Sequence, residues 1–427
     1  MTDNIDPKLV RVLCTYDHTH IDDIDAAVAA EFAAAPSTAL LRAKNGLNGA
    51  RIAVAVGSRG IANLQQIVRA VIRELKAARA EPFVVPAMGS HGGATDSGQA
   101  AVLASYGITE AGVGAPIRSS METVQIPAPG LGHKAFMDRA AWESDGVILV
   151  ARIKPHTDFH SRFESGLIKM AVIGLGKHDQ AKAIHSFGVR GLKEKILPTA
   201  RHILATGKIL AGIGLVENAY DETQIIRLIP ADRIEQEEPL LLQKAHANMP
   251  RLPVDEVDVL VIDRMGKDIS GTGMDTNIIG RIRVLGQTEP DAPKVGAIVT
   301  SDLTPASHGN AVGLGLADVI TRRMYDSIDF GATNENVITS SFLDRGKVPL
   351  VAETDRKAVE YAIRGAAVGP ERSPRIVRMI DTLHVHDLLV SAQIAEELRS
   401  DPAVQVLEGE FPLFAGDDLA PYPTAHS

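Results

Sequence analysis

A single cysteine, Cys14, in a chain of 427 residues rules out an internal disulfide framework, an iron–sulfur cluster and any multi-thiolate zinc site. Any metal must then be held by histidines, by carboxylates, or by a cofactor that brings its own ligands. Long apolar runs are missing too. No stretch of about 18 uninterrupted apolar residues occurs, so no segment reads as a membrane span. The N-terminal MTDNIDPKLV is acidic and has no apolar core of signal-peptide length. Positive charge is in deficit, with 44 Lys and Arg against 53 Asp and Glu and a net charge of −9. A nucleic-acid or anionic-membrane partner would need a basic footprint that this balance does not supply. These absences predict a cytoplasmic protein with no nucleic-acid and no membrane partner. A local basic pocket for a small anion stays compatible with them.

What is present is the composition of a folded globular protein, 45% hydrophobic and 23% charged. The length exceeds one ordinary core and predicts two domains. A strand over 9–16 and an Ala-rich helix over 22–35 open the chain. Then RIAVAV, ending at Val56, reads as a buried parallel strand; a Gly turn and a helix of 3.6-residue period follow it. PFVVPAMG (82–89), a helix over 96–106 and DGVILVAR (145–152) repeat the pattern. Strand, glycine turn, helix, strand is the grammar of a parallel sheet. A Pro-rich polar stretch at 246–255 reads as a linker. After it come VDVLVIDRMG (257–266), a strand at 295–300, helices at 353–369 and 373–384, and a strand at 385–390. The expectation is an α/β protein of two α/β/α domains with largely parallel sheets and the active site in the interdomain cleft. The domains are expected at 1–250 and 251–399, with the tail 400–427 packing back on the first.

Ligands of open α/β sheets bind beyond the C-terminal strand ends, and three loops there carry polar residues. Gly57-Ser58-Arg59-Gly60 joins a tight turn and free helix N–H groups to a fixed cation, which suits a phosphate or carboxylate; an ordinary turn with a solvated arginine is the alternative. Gly89-Ser90-His91-Gly92-Gly93-Ala94-Thr95 exposes a histidine, able to act as acid or base or merely to cap the next helix. The third loop, Lys154-Pro155-His156, has His160, Lys169 and His185 downstream. Pro155 stiffens the backbone before His156. Lys169 lies in the apolar GLIKMAVIG, where desolvation would make its amine nucleophilic. His185 could be a lone imidazole ligand to a borderline metal.

Other groups have plainer readings. His18 and His20, with Asp17, Asp22 and Asp23, could bind a metal, but Asp residues at a helix start cap it. Gly271-Thr272-Gly273-Met274-Asp275 looks like a nucleotide loop, though one such loop is weak support. His384 and His386 read as a surface pair. Glu217 and Asn218 could orient a ribose, while turn chemistry accounts for Asn218 equally well. No Gly-x-Gly-x-x-Gly follows the strand at 51–56, which disfavours a Rossmann dehydrogenase.

GSRG, GSHGGAT and the Pro-His…Lys…His series together resemble the motifs of the nickel-dependent lactate racemase family. Lys169 and His185 stand sixteen positions apart, the interval of the corresponding pair in that family. Gly266-Lys267-Asp268-Ile269 is similar to the family's Pro-Lys-Asp segment, and the correspondence runs from about residue 50 to 285. The resemblance implies that Lys169 holds a nickel-pincer nucleotide (nickel pyridinium-3,5-bisthiocarboxylic acid mononucleotide) through a thioamide link. His185 would ligate its nickel, Ser58 and Arg59 would contact the cofactor, and Arg59 and Lys267 would hold the substrate carboxylate or the cofactor's phosphate. His91 and His156 would be opposed bases in the racemisation or epimerisation of a 2-hydroxyacid. Proteins that build the cofactor are implied as partners. Departures from the family are Val56 in place of Asp, altered residues around His91, and a longer interval from His156 to Lys169. The last leaves His160 as an alternative second base and suggests a substrate bulkier or more polar than lactate. A non-racemising binder of a phosphorylated small molecule on the same fold is the competing expectation.

Overall fold

The computed structural model describes residues 6–34, 47–57, 60–369 and 371–423. In chain order the elements that matter are β1 (Lys8–Cys14), α1 (Ile24–Ala34), β2 (Arg51–Val56), α2 (Leu64–Ala77), β3 (Glu81–Pro86) and α3 (Asp96–Ser105). Two short strands, β4 (Thr123–Ile126) and β5 (Ala135–Asp138), pair antiparallel and precede β6 (Gly146–Arg152). A helical run follows as α4 (Leu167–Lys169), a π-turn over Met170–Gly174, α5 (Lys177–His185) and α6 (Ile196–Ala205). Next come β7 (Ile209–Glu217), β8 (Thr223–Pro230), α7 (Ile234–Asn248), β9 (Glu256–Met265) and β10 (Lys294–Leu303). The rest are β11 (Val319–Thr321), β12 (Leu350–Ala352), α8 (Asp355–Gly365), β13 (Ile376–Met379), β14 (Asp387–Ser391), β15 (Val404–Val406) and β16 (Phe411–Pro412).

The chain divides into two compact units, Asp17–Met249 and a second made of Met1–Tyr16 with Pro250–Ser427. In the first unit the sheet order is β3-β2-β6-β7-β8. β2, β3, β6 and β7 run parallel and β8 closes the edge antiparallel to β7. All nine residues of β7 and the first six of β6 are buried, as expected where helices cover both faces of a parallel sheet. On one face α2 contributes Leu64, Ile67, Val68, Val71, Ile72 and Leu75 to a core that includes Val54, Ile148 and Ile213. On the other, Leu242 and Ala245 of α7 pack on Ile153 and Val216. Gly212 of β7 is required for a close approach: a Cβ there would lie 2.6 Å from Leu167, so the glycine lets α4 settle on the sheet.

In the second unit β12-β11-β10-β9-β13 form a parallel block, extended antiparallel by β14, β1 and β15. β1 therefore belongs with the C-terminal elements instead of the helix it precedes. Its backbone groups need partners on both edges; β14 supplies one, β15 and β16 the other. The tail accordingly pairs with β1, the one strand of residues 1–250 that belongs to this unit. A second difference is at 373–384, expected as a helix, which forms β13 and a turn. All four residues of β13 are buried and pair in parallel with β9. Arg378, which looks like a solvent-facing residue of a helix, is buried in two hydrogen bonds to Asp263 at 2.8 and 2.9 Å and one to the Ala420 carbonyl at 2.7 Å. No helix among the described residues is long and apolar enough to cross a membrane.

Candidate active site

The C-terminal ends of β2, β3 and β6 lie side by side, with Val56 paired to both Pro86 and Val150. The loops that leave β2 and β3 meet the π-turn behind Lys169. A Cβ on Gly57 would stand 2.9 Å from the Met170 side chain, so the β2 loop runs directly over that turn. Ser58 and Arg59 lie outside the described residues. Gly89 N–H donates to the Gly174 carbonyl at 3.2 Å, tying the His91 loop to the same turn. π-turns insert one residue into a helix and are frequent at functional sites.

His91 is exposed and does not cap α3. That cap is Thr95, whose hydroxyl accepts from Gly98 N–H at 3.0 Å. The His91 backbone is held from below instead. Gln99 Nε2 donates to the carbonyls of Gly89 and His91 at 2.9 and 3.2 Å. Lys177 Nζ donates to Gln99 Oε1 at 3.0 Å and to the Pro86 carbonyl, and it pairs with Asp138 at 3.2 Å. Lys177 and Asp138 are both fully buried; desolvation lowers the lysine pKa and raises the aspartate pKa, each partner opposing it for the other. Removing one partner of such a pair costs about 3–5 kcal/mol. Sequence reasoning passed over Lys177, Gln99 and Asp138. The available signal was a lysine in the glycine-rich GLGKHDQ, where Lys177 has a φ of 54°.

Residues 154–165 form a closed loop, pinned at its base by reciprocal backbone bonds between Lys154 and Ser165. Inside it Glu164 Oε2 accepts the His156 N–H at 2.6 Å, and Phe159 is fully buried against the His156 ring at a centroid separation of 4.6 Å. The loop turns His156 inward, with its side chain 12% exposed, and His160 outward at 39%. His156 Nε2 lies 2.5 Å from Lys169 Nζ. Burial, with any positive charge on Lys169 acting the same way, drives the His156 pKa down to about 3, so the ring is neutral. Its Nδ1 accepts the Asp158 N–H at 3.1 Å. A neutral imidazole has one unprotonated nitrogen, and the Asp158 amide occupies it; Nε2 therefore carries the proton. The residues of the third loop are thus brought together: His156 and Lys169 in contact, and His185 at the end of α5, exposed but with its pKa lowered by desolvation and then by Lys169. Neutral imidazole is the form that binds a metal.

Glu238 was also not found from sequence. It is buried, and its carboxylate accepts Ile168 N–H at 2.8 Å, holding the start of the turn that carries Lys169. Burial raises its pKa to about 8, against the opposing pull of the Ile168 and Leu167 amides. With the folded value above the unfolded one of about 4.5, the folded state keeps a proton that the unfolded chain gives up. This contribution to stability is complete below pH 4.5 and is lost as pH rises through about 8. Glu238→Gln, which cannot ionise, is expected to lose less thermal stability than the wild type between pH 5.5 and 8.5. Equal slopes in a melting series would contradict this.

The remaining candidates are placed as follows. Lys267 belongs to the second unit, half-buried, and its Nζ donates to the Gly271 carbonyl at 2.9 Å, within the Gly-rich loop. Asn218 Oδ1 accepts from Tyr220 and Glu222 N–H, which is turn chemistry, and Glu217 pairs with Arg152 at 2.6 Å. Asp23 caps α1 through Ala26 N–H at 2.9 Å, while His18 and His20 face Glu222 at 3.2 and 3.5 Å. His384 bonds Asp381 at 2.6 Å, with the His386 ring 6.3 Å away between centroids.

No protein-family model matches the sequence, and no curated protein does. Among solved structures the chain is similar to the lactate racemase apoprotein from Thermoanaerobacterium thermosaccharolyticum. The likeness has a TM-score of 0.52 at 11% identity, over 89% of this chain and 99% of that one. At that identity it establishes the fold.

Proposed function

We propose that the chain is a racemase or epimerase of a 2-hydroxyacid that works with a nickel-pincer nucleotide. The observation that carries the reading is the contact of His156 Nε2 with Lys169 Nζ at 2.5 Å, which sets the amine against a neutral imidazole in a partly buried site. A lysine held in that way is a nucleophile suited to a covalent link. The donor set fits the group. His185 offers a neutral imidazole sixteen positions beyond Lys169, and Cys14, buried in the other unit with its thiol pushed up to about 11, offers no competing thiolate. The shared fold with a lactate racemase supports the same reading.

When bound, the nickel-pincer nucleotide supplies the acceptor that takes the α-hydrogen with its electron pair and then returns it. The chain does the rest. Once Lys169 is committed to the link, the His156 imidazole would move its proton to Nδ1, beside the Asp158 carboxylate at 3.6 Å, and the bared Nε2 would take the hydroxyl proton of one enantiomer as the substrate becomes a planar 2-keto acid. His91, on the loop beyond β3, would give a proton to the carbonyl oxygen after the keto acid has turned its other face to the cofactor. The reverse passage exchanges the two roles. Arg59, by charge, is assigned to the substrate carboxylate or the cofactor's phosphate. Two bases that differ in burial let one site accept both hands of the substrate.

The interval from His156 to Lys169 exceeds that of the family the motifs resemble, and on that ground we assign a substrate bulkier or more polar than lactate. The test is chiral chromatography of a panel of 2-hydroxyacids incubated with cofactor-loaded protein. Interconversion of both enantiomers of a larger or more polar member is expected. Turnover of lactate alone would contradict the substrate assignment, and turnover of none by fully loaded protein would contradict the reaction.

A further inference from the structure

Outside the Lys169 pair, a second constellation in the first unit has the make-up of a metal site. Glu164 Oε1 lies 3.3 Å from His160 Nδ1 and 3.2 Å from His246 Nε2. The three ligand atoms all fall within 4.8 Å of one another. Ligands at about 2.0–2.1 Å around a tetrahedral zinc are separated by about 3.3–3.4 Å, which matches the two carboxylate–imidazole spacings. The two rings meet edge to face with centroids 5.6 Å apart, so both present one nitrogen to the same oxygen without stacking.

The carboxylate is built in as ligating carboxylates are. Glu164 is 2% exposed, and backbone amides fix both of its oxygens, His156 N–H on Oε2 at 2.6 Å and Ser161 N–H on Oε1 at 3.2 Å. The two imidazoles are half-open at 39% and 38%, which gives an ion a way in and each ring room to turn. His160 stands on the loop and His246 in the last turn of α7, so an ion between them joins two elements that are distant in sequence.

We propose that His160, Glu164 and His246 bind a divalent zinc-like cation through Nδ1, Oε1 and Nε2, with water in a fourth position, and that this ion braces the loop carrying His156. Two imidazoles and one carboxylate select zinc, cobalt or nickel over magnesium and calcium, which prefer all-oxygen sites. The site is separate from the nickel of the pincer nucleotide and does not rest on the racemase reading. It removes His160 from the list of bases and gives it a different task.

The test uses full-length, cofactor-free, metal-stripped protein titrated with Zn²⁺ by calorimetry and with Co²⁺ by absorption. The expected result is one equivalent of Zn²⁺ and the intense visible bands of four-coordinate Co²⁺. His160→Ala and His246→Ala should each weaken binding by more than about tenfold, while His185→Ala leaves it unchanged. Melting curves without metal show whether each variant folds, and Zn²⁺ should raise the wild-type midpoint but not that of His246→Ala. Failure of the wild type to bind either ion would overturn the proposal, whatever the variants do. So would binding that survives both substitutions, or that vanishes only with His185.

Discussion

Replacement of Lys169 by alanine is expected to bring racemisation down to the rate without enzyme, while the chain stays folded. The side chain is only partly buried and sits on a short helical segment whose position comes from elsewhere: Leu167 on Gly212, Glu238 on the Ile168 amide. Removing the amine therefore takes away the covalent anchor without opening the core. Lys169→Arg is expected to fail as fully as alanine. A guanidinium keeps the charge but cannot act as the nucleophile, so charge alone does not rescue. Chiral assay of both variants beside melting curves checks this. Substantial activity in Lys169→Arg would show that the residue acts by charge and not by a covalent bond.

His156→Ala is expected to lower kcat/KM in both directions by about 10²–10⁴-fold, the usual worth of a positioned general base. Because the two hands of the substrate have equal free energy, forward and reverse rates must fall together. A single turnover separates the two bases: the variant should still form the 2-keto acid from the enantiomer served by His91, but not from the other. His91→Ala should show the opposite selectivity. Loss of keto acid from both enantiomers in each variant would contradict the two-base account. His156 also leaves a mark on stability in the cofactor-free protein. Its folded pKa of about 3 lies below the unfolded value of 6.5, so its contribution is present above pH 6.5 and is lost as pH falls toward 3. Glu164 acts in the same sense. Burial alone would raise its pKa, but hydrogen bonds from His160 and His246 outweigh burial and hold it near 2, so its contribution is lost below about pH 4.5.

The parallel sheet of the first unit was legible because its strands are buried on both faces and read as unbroken apolar runs between glycine turns. The strand ends then pointed to the loops of His91 and His156 without reference to tertiary contacts, while Lys169 and His185 fall on the helical run beyond β6. The division near residue 250 falls in the polar, Pro-rich stretch read as a linker, but the place of the first strand was not legible. Nothing in LVRVLC says that its edges are taken by Asp387–Ser391 on one side and by the tail on the other, since such pairings are set by register across hundreds of residues. β13 was missed because a buried Arg378 has the same letter as an exposed one, and only Asp263 on the neighbouring strand explains it. Glu238, Gln99 and Lys177 were missed for the same reason. Their local segments look like ordinary helix and turn, and their meaning lies in the backbone groups they hold. The different orientations of His156 and His160 depend on the loop's inner contacts, above all Phe159 and Glu164, beside which one ring turns inward and the other out.

The central claim, that Lys169 and His185 load a nickel-pincer nucleotide, is tested most directly by intact mass with metal analysis on protein co-produced with the proteins that build the cofactor. The account predicts a mass adduct that maps to Lys169, with close to one nickel per chain, and nickel content falling in His185→Ala. Unmodified, nickel-free protein, under conditions that load a lactate racemase handled in parallel, would contradict it.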